Sequence, residues 1–373
     1  MKVLYIGHYK EGTGWSKASI NSIHALNRSG ADVVCRNIQL TKPNNIKIDP
    51  LILELESKPL DNIDICIQNV LPHHMVGTQK FKKNIGYFVA ESNTTKYNSW
   101  TQHLGLMDEV WVPNNELKTN MEKDGFDPNR VRVIPYAFNI DKYKQNNVLK
   151  IDFAENQYKF KFYYIGDYND RKNLESIIRC FHSEFGPNEP VCLIIKVNKF
   201  GISPEDLRSH IKRLCSTVKE ELRIYKDIRE YHEELILTQN ITDEQIDSLH
   251  LSCDCLVCPT HGEGWSIPAF DAMAFGKTPI CSNEGGPKEF IDPSNKNTGY
   301  LVDGVYDICN HADPAFPELF TGREEWFHPS ESEIKKAMRF YYENKIKSTD
   351  GLIMAENFSY DKVGQIIKEA IHA

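Results

Sequence analysis

The feature that most limits the fold is an alternation of short apolar runs with segments whose apolar residues recur at helical spacing. It begins with Val3–Gly7, an apolar run ending in glycine, and Ser16–Ser29, in which Ile20, Ile23 and Leu26 recur at that spacing. This alternation is typical of a parallel sheet whose strands are joined by helices. Further strands of this series are predicted at 32–36, 63–69, 83–89, 109–112 and 131–134, with a helix at 115–124.

The alternation stops after Pro135 and begins again near Phe160. The polar stretch between, Asn139–Gln157, indicates a link between two domains. In the second series we predict strands at 160–166, 191–197, 234–237, 255–258 and 278–282, and helices at 173–184, 204–213, 242–249 and 268–275.

Two such series predict an α/β fold of two facing Rossmann-like, doubly wound domains with a cleft between them. The first domain is predicted at 1–145 and the second at 158–350. The amphipathic segment 357–373 is expected to pack back on the first domain.

Composition excludes several classes of protein. The net charge is -8 for 373 residues, so we expect no nucleic-acid partner, because such partners are met by clustered Lys and Arg. No run of about 18 apolar residues and no signal-peptide pattern occurs, which predicts a cytoplasmic protein without a transmembrane segment. The ten cysteines stand mostly in apolar runs and without zinc-site spacing, which indicates reduced thiols and no metal site.

The most informative segment is Cys258–Phe290, which holds an acidic turn between two glycines, Gly262-Glu263-Gly264, just before a predicted helix. Glycines beside a helix N-terminus let backbone N–H groups approach a phosphate. Glu263 precedes the helix and Asp271 is predicted in its first turn, so both are expected to face one pocket, where carboxylates suit sugar or ribose hydroxyls. The alternative for Asp271 is that it only offsets the helix dipole.

A second segment, Tyr164–Asn173, combines a strand end, Gly166, a polar loop and the pair Arg171-Lys172 at the start of a helix. Cations are disfavoured at a helix N-terminus, so their placement there indicates an anionic ligand. The alternative is that both side chains are simply exposed.

These two segments resemble the signature of the family 4 retaining glycosyltransferases of GT-B fold. In that family an E-x7-E motif is followed by A-M-A-x-G-x-P-V and a Gly-Gly turn; here Asp271 replaces the second Glu and is one methylene shorter. The resemblance implies that Glu263 binds the transferred sugar and Asp271 the ribose, and that Arg171 and Lys172 bind the donor diphosphate. The other donor-binding residues expected at these segments are Gly166, Gly264, Trp265 and Ser266.

The resemblance also implies roles for residues elsewhere in the chain. Gly12 and Gly14 form a loop after the first strand that is expected to face the donor phosphates or the acceptor. One of His73 and His74 is expected near the transferred sugar, and the sequence does not choose between them. The donor nucleobase is expected at the backbone of Asn240 and Ile241. Glu91 is a candidate for acceptor binding, or alternatively for capping a turn.

The function implied is transfer of a hexose from a UDP- or GDP-sugar to a glycan, lipid-linked or small-molecule acceptor. The anomeric configuration would be retained, with no cofactor and no metal ion. Two alternatives stay open, a sugar-nucleotide 2-epimerase of the same fold and a non-catalytic module that binds a sugar nucleotide or a glycan.

Overall fold

The computed structural model describes residues 1–39, 48–145, 149–309 and 320–373, and in these ranges the chain divides into two compact units. Unit 1 comprises Met1–Lys142, Pro314–Glu325 and Ala355–Ala373, and unit 2 comprises Tyr143–Asp313 and Trp326–Met354. Of the predicted link at 139–157, residues 146–148 lie outside the described chain.

Unit 1 is built, as far as it is described, on a parallel sheet of six strands. The strands are β1 (Lys2–Gly7), β2 (Asp32–Asn37), β3 (Ile65–Asn69), β4 (Lys83–Tyr87), β5 (Glu109–Val112) and β6 (Val131–Val133). Their spatial order is β2-β1-β3-β4-β5-β6. The chain therefore moves from β1 to one side and then from β3 to the other.

Unit 2 holds a second six-stranded sheet within its described ranges, and a two-stranded sheet joins β13 and β14. The strands are β7 (Phe160–Asp167), β8 (Val191–Asn198), β9 (Leu235–Leu237), β10 (Cys255–Cys258), β11 (Thr278–Ser282), β12 (Tyr300–Val302), β13 (Gly304–Ile308) and β14 (Glu325–Pro329). The order of the larger sheet is β12-β11-β10-β7-β8-β9, with parallel pairing throughout. The predicted fold class, two parallel α/β sheets, is confirmed.

The helices begin where the sequence supplies caps. Thr13 and Ser203 each accept a hydrogen bond from the backbone of the following turn, and Thr242 forms a capping box with Gln245. The helices are α1 (Gly14–Arg28), α2 (Pro50–Ser57), α3 (Trp100–Gly105), α4 (Asn115–Lys123), α5 (Leu174–Glu184), α6 (Pro204–Leu222), α7 (Asp243–Ser252), α8 (Ile267–Ala274), α9 (Glu331–Asn344), α10 (Gly351–Glu356) and α11 (Tyr360–His372).

Helix α6 is longer than predicted, because its buried face continues beyond residue 213. Cys215 and Val218 extend the stripe begun by Leu207 and Ile211, and all four are buried in the core between the sheet and the helices of unit 2. Several elements were not predicted at all: α2, α3, α9, α10 and the strands β12, β13 and β14.

Helix α11 packs closely on α1 within unit 1, and Gly364 lies at the crossing. A Cβ added to Gly364 would lie 2.7 Å from the carbonyl oxygen of Ala25 and 3.0 Å from the Cβ of Arg28. Because backbone cannot yield as a flexible side chain does, any larger residue must push the two helices apart.

We expect Gly364→Ala to destabilise the protein by about 1–3 kcal/mol, the usual cost of overpacking, measured as a lower melting temperature. The control is Gly105→Ala in α3, where no described heavy atom lies within 4 Å of an added Cβ. That change should be neutral or stabilising by up to about 1 kcal/mol, because alanine restricts the unfolded chain. Equal melting temperatures for Gly364→Ala and the parent chain would contradict the close crossing.

Candidate active site

The direction in which the chain crosses the sheet of unit 2 reverses between β7 and β10. From β7 it proceeds to β8 and β9 on one side, and from β10 to β11 and β12 on the other. Ligands of open α/β sheets bind outside the carboxyl ends of the strands at such a reversal. Arg171 and Lys172 follow β7, and Glu263 follows β10, so the topology brings these three predicted residues to one place.

Arg171, Lys172 and Glu263 form an ion cluster at this point. The ammonium Nζ of Lys172 donates to Oε1 of Glu263 at 2.5 Å, and Nη1 of Arg171 lies 3.6 Å from the same oxygen. The carboxylate is almost fully buried, and both cations are mostly buried. Two positive charges thus converge on one carboxylate in a site of low dielectric.

Backbone contacts hold the two loops of the cluster together. The N–H of His261 donates to the carbonyl of Arg171 at 2.8 Å, and Nη1 of Arg171 donates to the carbonyl of Gly262 at 2.6 Å. Asn173, in the left-handed region with φ 55°, donates through Nδ2 to the carbonyl of Pro259 at 2.9 Å. The cations and the carboxylate are therefore fixed by the fold as well as by their charges.

A third loop, after β11, holds Glu263 from the other side. The N–H of Glu263 donates to Oε2 of Glu284 at 3.2 Å, and its carbonyl accepts from the N–H of Gly286 at 3.0 Å. Gly285 has φ 63°, and a Cβ there would lie 2.2 Å from the carbonyl oxygen of Glu263, so only glycine fits. The Gly-Gly turn was predicted from the sequence, whereas Glu284, a buried acid directly before it, was not identified.

The electrostatics of the cluster favour an ionised Glu263. Burial alone would raise the pKa of this carboxyl, but the charges of Lys172 and Arg171 outweigh burial and hold the pKa below its ordinary value. At neutral pH the Glu263 carboxylate is therefore an anion paired with two cations.

Asp271 differs from the prediction in its position along the helix. It is not in the first turn of α8, so it is less suited than expected to offset the helix dipole. Its side chain is buried and its Oδ1 accepts a hydrogen bond from the hydroxyl of Tyr143 at 2.5 Å.

The remaining predicted donor-binding residues of unit 2 surround these two acids. Gly264, Trp265 and Ser266 are buried between β10 and α8. Gly166 lies in β7, where a Cβ would approach the hydroxyl of Tyr164 to 2.3 Å, so close packing also accounts for this glycine. Asn240 and Ile241 lie in the segment between β9 and α7; Asn240 is exposed and Ile241 is half-buried.

The predicted glycines and histidines of unit 1 also follow strands that flank a reversal, here between β1 and β3. Gly12, with φ 70°, and Gly14, the first residue of α1, form the turn after β1. His73 and His74 form a 3₁₀ turn after β3 with ring centroids 4.1 Å apart; His73 is half-buried and His74 is exposed. Glu91 is half-buried and follows β4, the neighbour of β3.

Two buried polar residues beside the glycine turn of unit 1 were not identified from the sequence. His8 is fully buried and its Nδ1 lies 2.6 Å from the carbonyl oxygen of Ile38 and 4.0 Å from Oε1 of Glu11. The available signal was their position, since both flank the turn between β1 and α1.

Residues 145–308, which include the ion cluster of unit 2, match the model of the family described as glycosyl transferases group 1. A search of curated proteins gives no match. No helix of the described ranges has the length and apolar character that crossing a membrane requires.

Solved structures of low sequence identity share the fold over nearly all of both chains. HepE from Anabaena in complex with UDP-glucose has 13% identity and a TM-score of 0.64, covering 100% of this chain and 99% of that chain. Sucrose-phosphate synthase from Thermosynechococcus elongatus has 13% identity and a TM-score of 0.66, covering 100% and 98%. An E. coli structure described as trehalose-6-phosphate bound with UDP-2-fluoro glucose has 9% identity and a TM-score of 0.67, covering 100% and 99%.

The structural likeness confirms the predicted GT-B fold. The family match places a glycosyl transferases group 1 domain at 145–308, and this domain confirms the predicted enzyme class. The chain is a glycosyltransferase.

The ion cluster predicts a pH-dependent effect of Lys172→Met on stability. Losing one partner of a buried pair costs roughly 3–5 kcal/mol; we expect less here, because Arg171 remains. The pairing stabilises the fold only while Glu263 is ionised, so it is fully present above the unfolded-state pKa of about 4.3 and is lost as pH falls through the lower folded-state value.

The difference in melting temperature between the parent chain and Lys172→Met should therefore persist from pH 7.5 down to about pH 4.3, and it should shrink only as the pH falls further. The control is the same change in a Glu263→Gln background, where the pH dependence of the difference should disappear. A difference that is constant with pH in both backgrounds would contradict the ion pair.

Proposed function

We propose that this glycosyltransferase transfers a hexose from a UDP- or GDP-sugar to an acceptor hydroxyl, with retention of anomeric configuration and without a metal ion. The observation that carries the proposal is the cluster of Arg171, Lys172 and Glu263 at the reversal of the sheet in the group 1 domain. The UDP-glucose and UDP-2-fluoro glucose of two structural neighbours support a UDP-sugar as the first donor to test.

Arg171 and Lys172 bind the donor diphosphate. The diphosphate gains negative charge as the bond to the sugar breaks, and cations fixed in a buried site stabilise that charge. The two side chains therefore supply the stabilisation for which other transferases use a divalent ion.

Glu263 changes partner when the donor binds. The diphosphate oxygens accept hydrogen bonds from the ammonium group of Lys172, and the carboxylate accepts hydrogen bonds from hydroxyls of the transferred sugar. Asp271 accepts from a ribose hydroxyl. The acceptor hydroxyl attacks from the side on which the diphosphate leaves, and a diphosphate oxygen takes its proton, so no protein nucleophile is used.

In unit 1 we assign His73 or His74 to the transferred sugar and Glu91 to the acceptor. All three follow neighbouring strands β3 and β4 at the carboxyl edge of the sheet. The half-buried ring of His73 is better fixed than the exposed ring of His74, which favours His73 for this role.

The first test is release of nucleotide from a panel of UDP- and GDP-sugars in EDTA, followed by the anomeric configuration of any product. We expect turnover to survive chelation and the product to keep the configuration of the donor, measured by proton NMR coupling constants. Activity lost in EDTA and restored by Mg²⁺ would refute metal independence, and an inverted product would refute retention. A donor that stabilises the protein yet gives neither transfer nor hydrolysis would favour a binding module.

The two acids should be separable by calorimetry. Glu263→Gln should keep or raise affinity for free UDP or GDP, because it frees two cations, and should lose about 1.5–3 kcal/mol of the extra affinity for the sugar nucleotide. Asp271→Asn should weaken binding of the free nucleotide and of the sugar nucleotide equally, while its amide oxygen still accepts a hydrogen bond from Tyr143.

Glu220→Gln, an exposed change in α6, serves as the control and should leave both affinities unchanged. If Glu263→Gln weakens binding of the free nucleotide as much as binding of the sugar nucleotide, Glu263 does not bind the hydroxyls of the transferred sugar.

A further inference from the structure

Lys196 is a buried cation near the carboxyl end of β8. The residue is only 4% exposed, and its Nζ donates a hydrogen bond to the backbone carbonyl of Val197 at 3.2 Å. An ammonium has three N–H donors, and within the described ranges neither a carboxylate nor a second acceptor contacts it. Burial lowers the pKa of Lys196, and no neighbouring charge of the described chain opposes that shift.

The position of Lys196 in the sheet relates it to the ion cluster of unit 2. It pairs in register with Ile165 of β7 on one side and Leu237 of β9 on the other. Ile195 and Val197 belong to the core formed with α5, α6 and α9, so Lys196 points to the opposite face, since side chains alternate along a strand. The strand β7 next to it leads directly to Arg171 and Lys172.

The order of the strand ends determines which part of a donor reaches Lys196. If the diphosphate lies on Arg171 and Lys172 and the ribose on Asp271, the base beyond the ribose is expected at residues 240–241, which follow β9, the neighbour of β8. Lys196 lies in β8. A cation without a carboxylate partner suits a neutral acceptor oxygen, and the bases uracil and guanine present carbonyl oxygens where cytosine and adenine present amino groups.

We propose that Lys196 reads a carbonyl oxygen of the donor nucleobase and so selects uracil over cytosine, or guanine over adenine. This inference rests on the proposed function, because it takes the diphosphate and ribose positions from it. Lys196 binds the base and takes no part in the bond-breaking step. Its burial without a counter-ion costs stability in the free protein, and the ligand offsets that cost.

The test is calorimetry of UDP, CDP, GDP and ADP with the parent chain and with Lys196→Met, which keeps an unbranched side chain and removes the ammonium group. We expect the parent chain to bind UDP at least tenfold more tightly than CDP, or GDP at least tenfold more tightly than ADP. In Lys196→Met the affinities for the two nucleotides of the preferred pair should differ by no more than about threefold, while the melting temperature stays equal or rises. The control, Lys199→Met, removes a more exposed lysine beyond β8 that donates to Tyr168 and should keep the preference.

The outcomes separate the two proposals. If the parent chain binds none of the four nucleotides, the proposed function fails. If it binds UDP or GDP and Lys196→Met keeps the preference, only the role of Lys196 fails. An equal loss for all four nucleotides would assign Lys196 to the diphosphate, and a lower melting temperature with unchanged preference would make it a structural residue; both results would overturn the inference.

Discussion

The buried carboxylate of Glu263 is the group around which the site of unit 2 is arranged. Removing a carboxylate from water is costly unless charges and hydrogen bonds replace its hydration. Lys172 and Arg171 supply the charges, and the loops after β7, β10 and β11 contact one another through main-chain hydrogen bonds around it. The strand ends are held side by side by the sheet, so the geometry of this one carboxylate follows from the order of the strands.

Unusual backbone conformations surround the same carboxylate. Asn173 and Ser266 both have positive φ, at 55° and 70°, and Gly285 has φ 63°. A non-glycine residue held in such a conformation costs of order 1–3 kcal/mol. Asn173 follows the two cations directly, and Ser266 stands between Glu263 and α8. The packed sheet and core of unit 2 therefore hold strained turns at the place where charged side chains must be fixed.

The alternation of apolar runs and helical segments was enough to predict the parallel sheets, because each strand and each helix carries its own periodicity. The spacing of Glu263 and Asp271 likewise predicted two acids near one helix. The ion pair of Lys172 with Glu263 was not predictable, because it joins residues far apart in the chain through the order of β7 and β10. Lys196 gave a signal that was not used, a single charge within an apolar strand.

In the free protein Lys172 and Arg171 pair with Glu263, and this pairing affects how the enzyme would distinguish a sugar nucleotide from a free nucleotide. Under the proposed function, a diphosphate that binds Lys172 and Arg171 must displace Glu263, and the cost of that displacement is recovered only if the carboxylate meets new donors. Sugar hydroxyls are such donors, whereas inorganic phosphate or a free nucleotide brings none to that place. The ion pair therefore lowers affinity for the products relative to the sugar nucleotide, which favours release of the nucleotide after transfer.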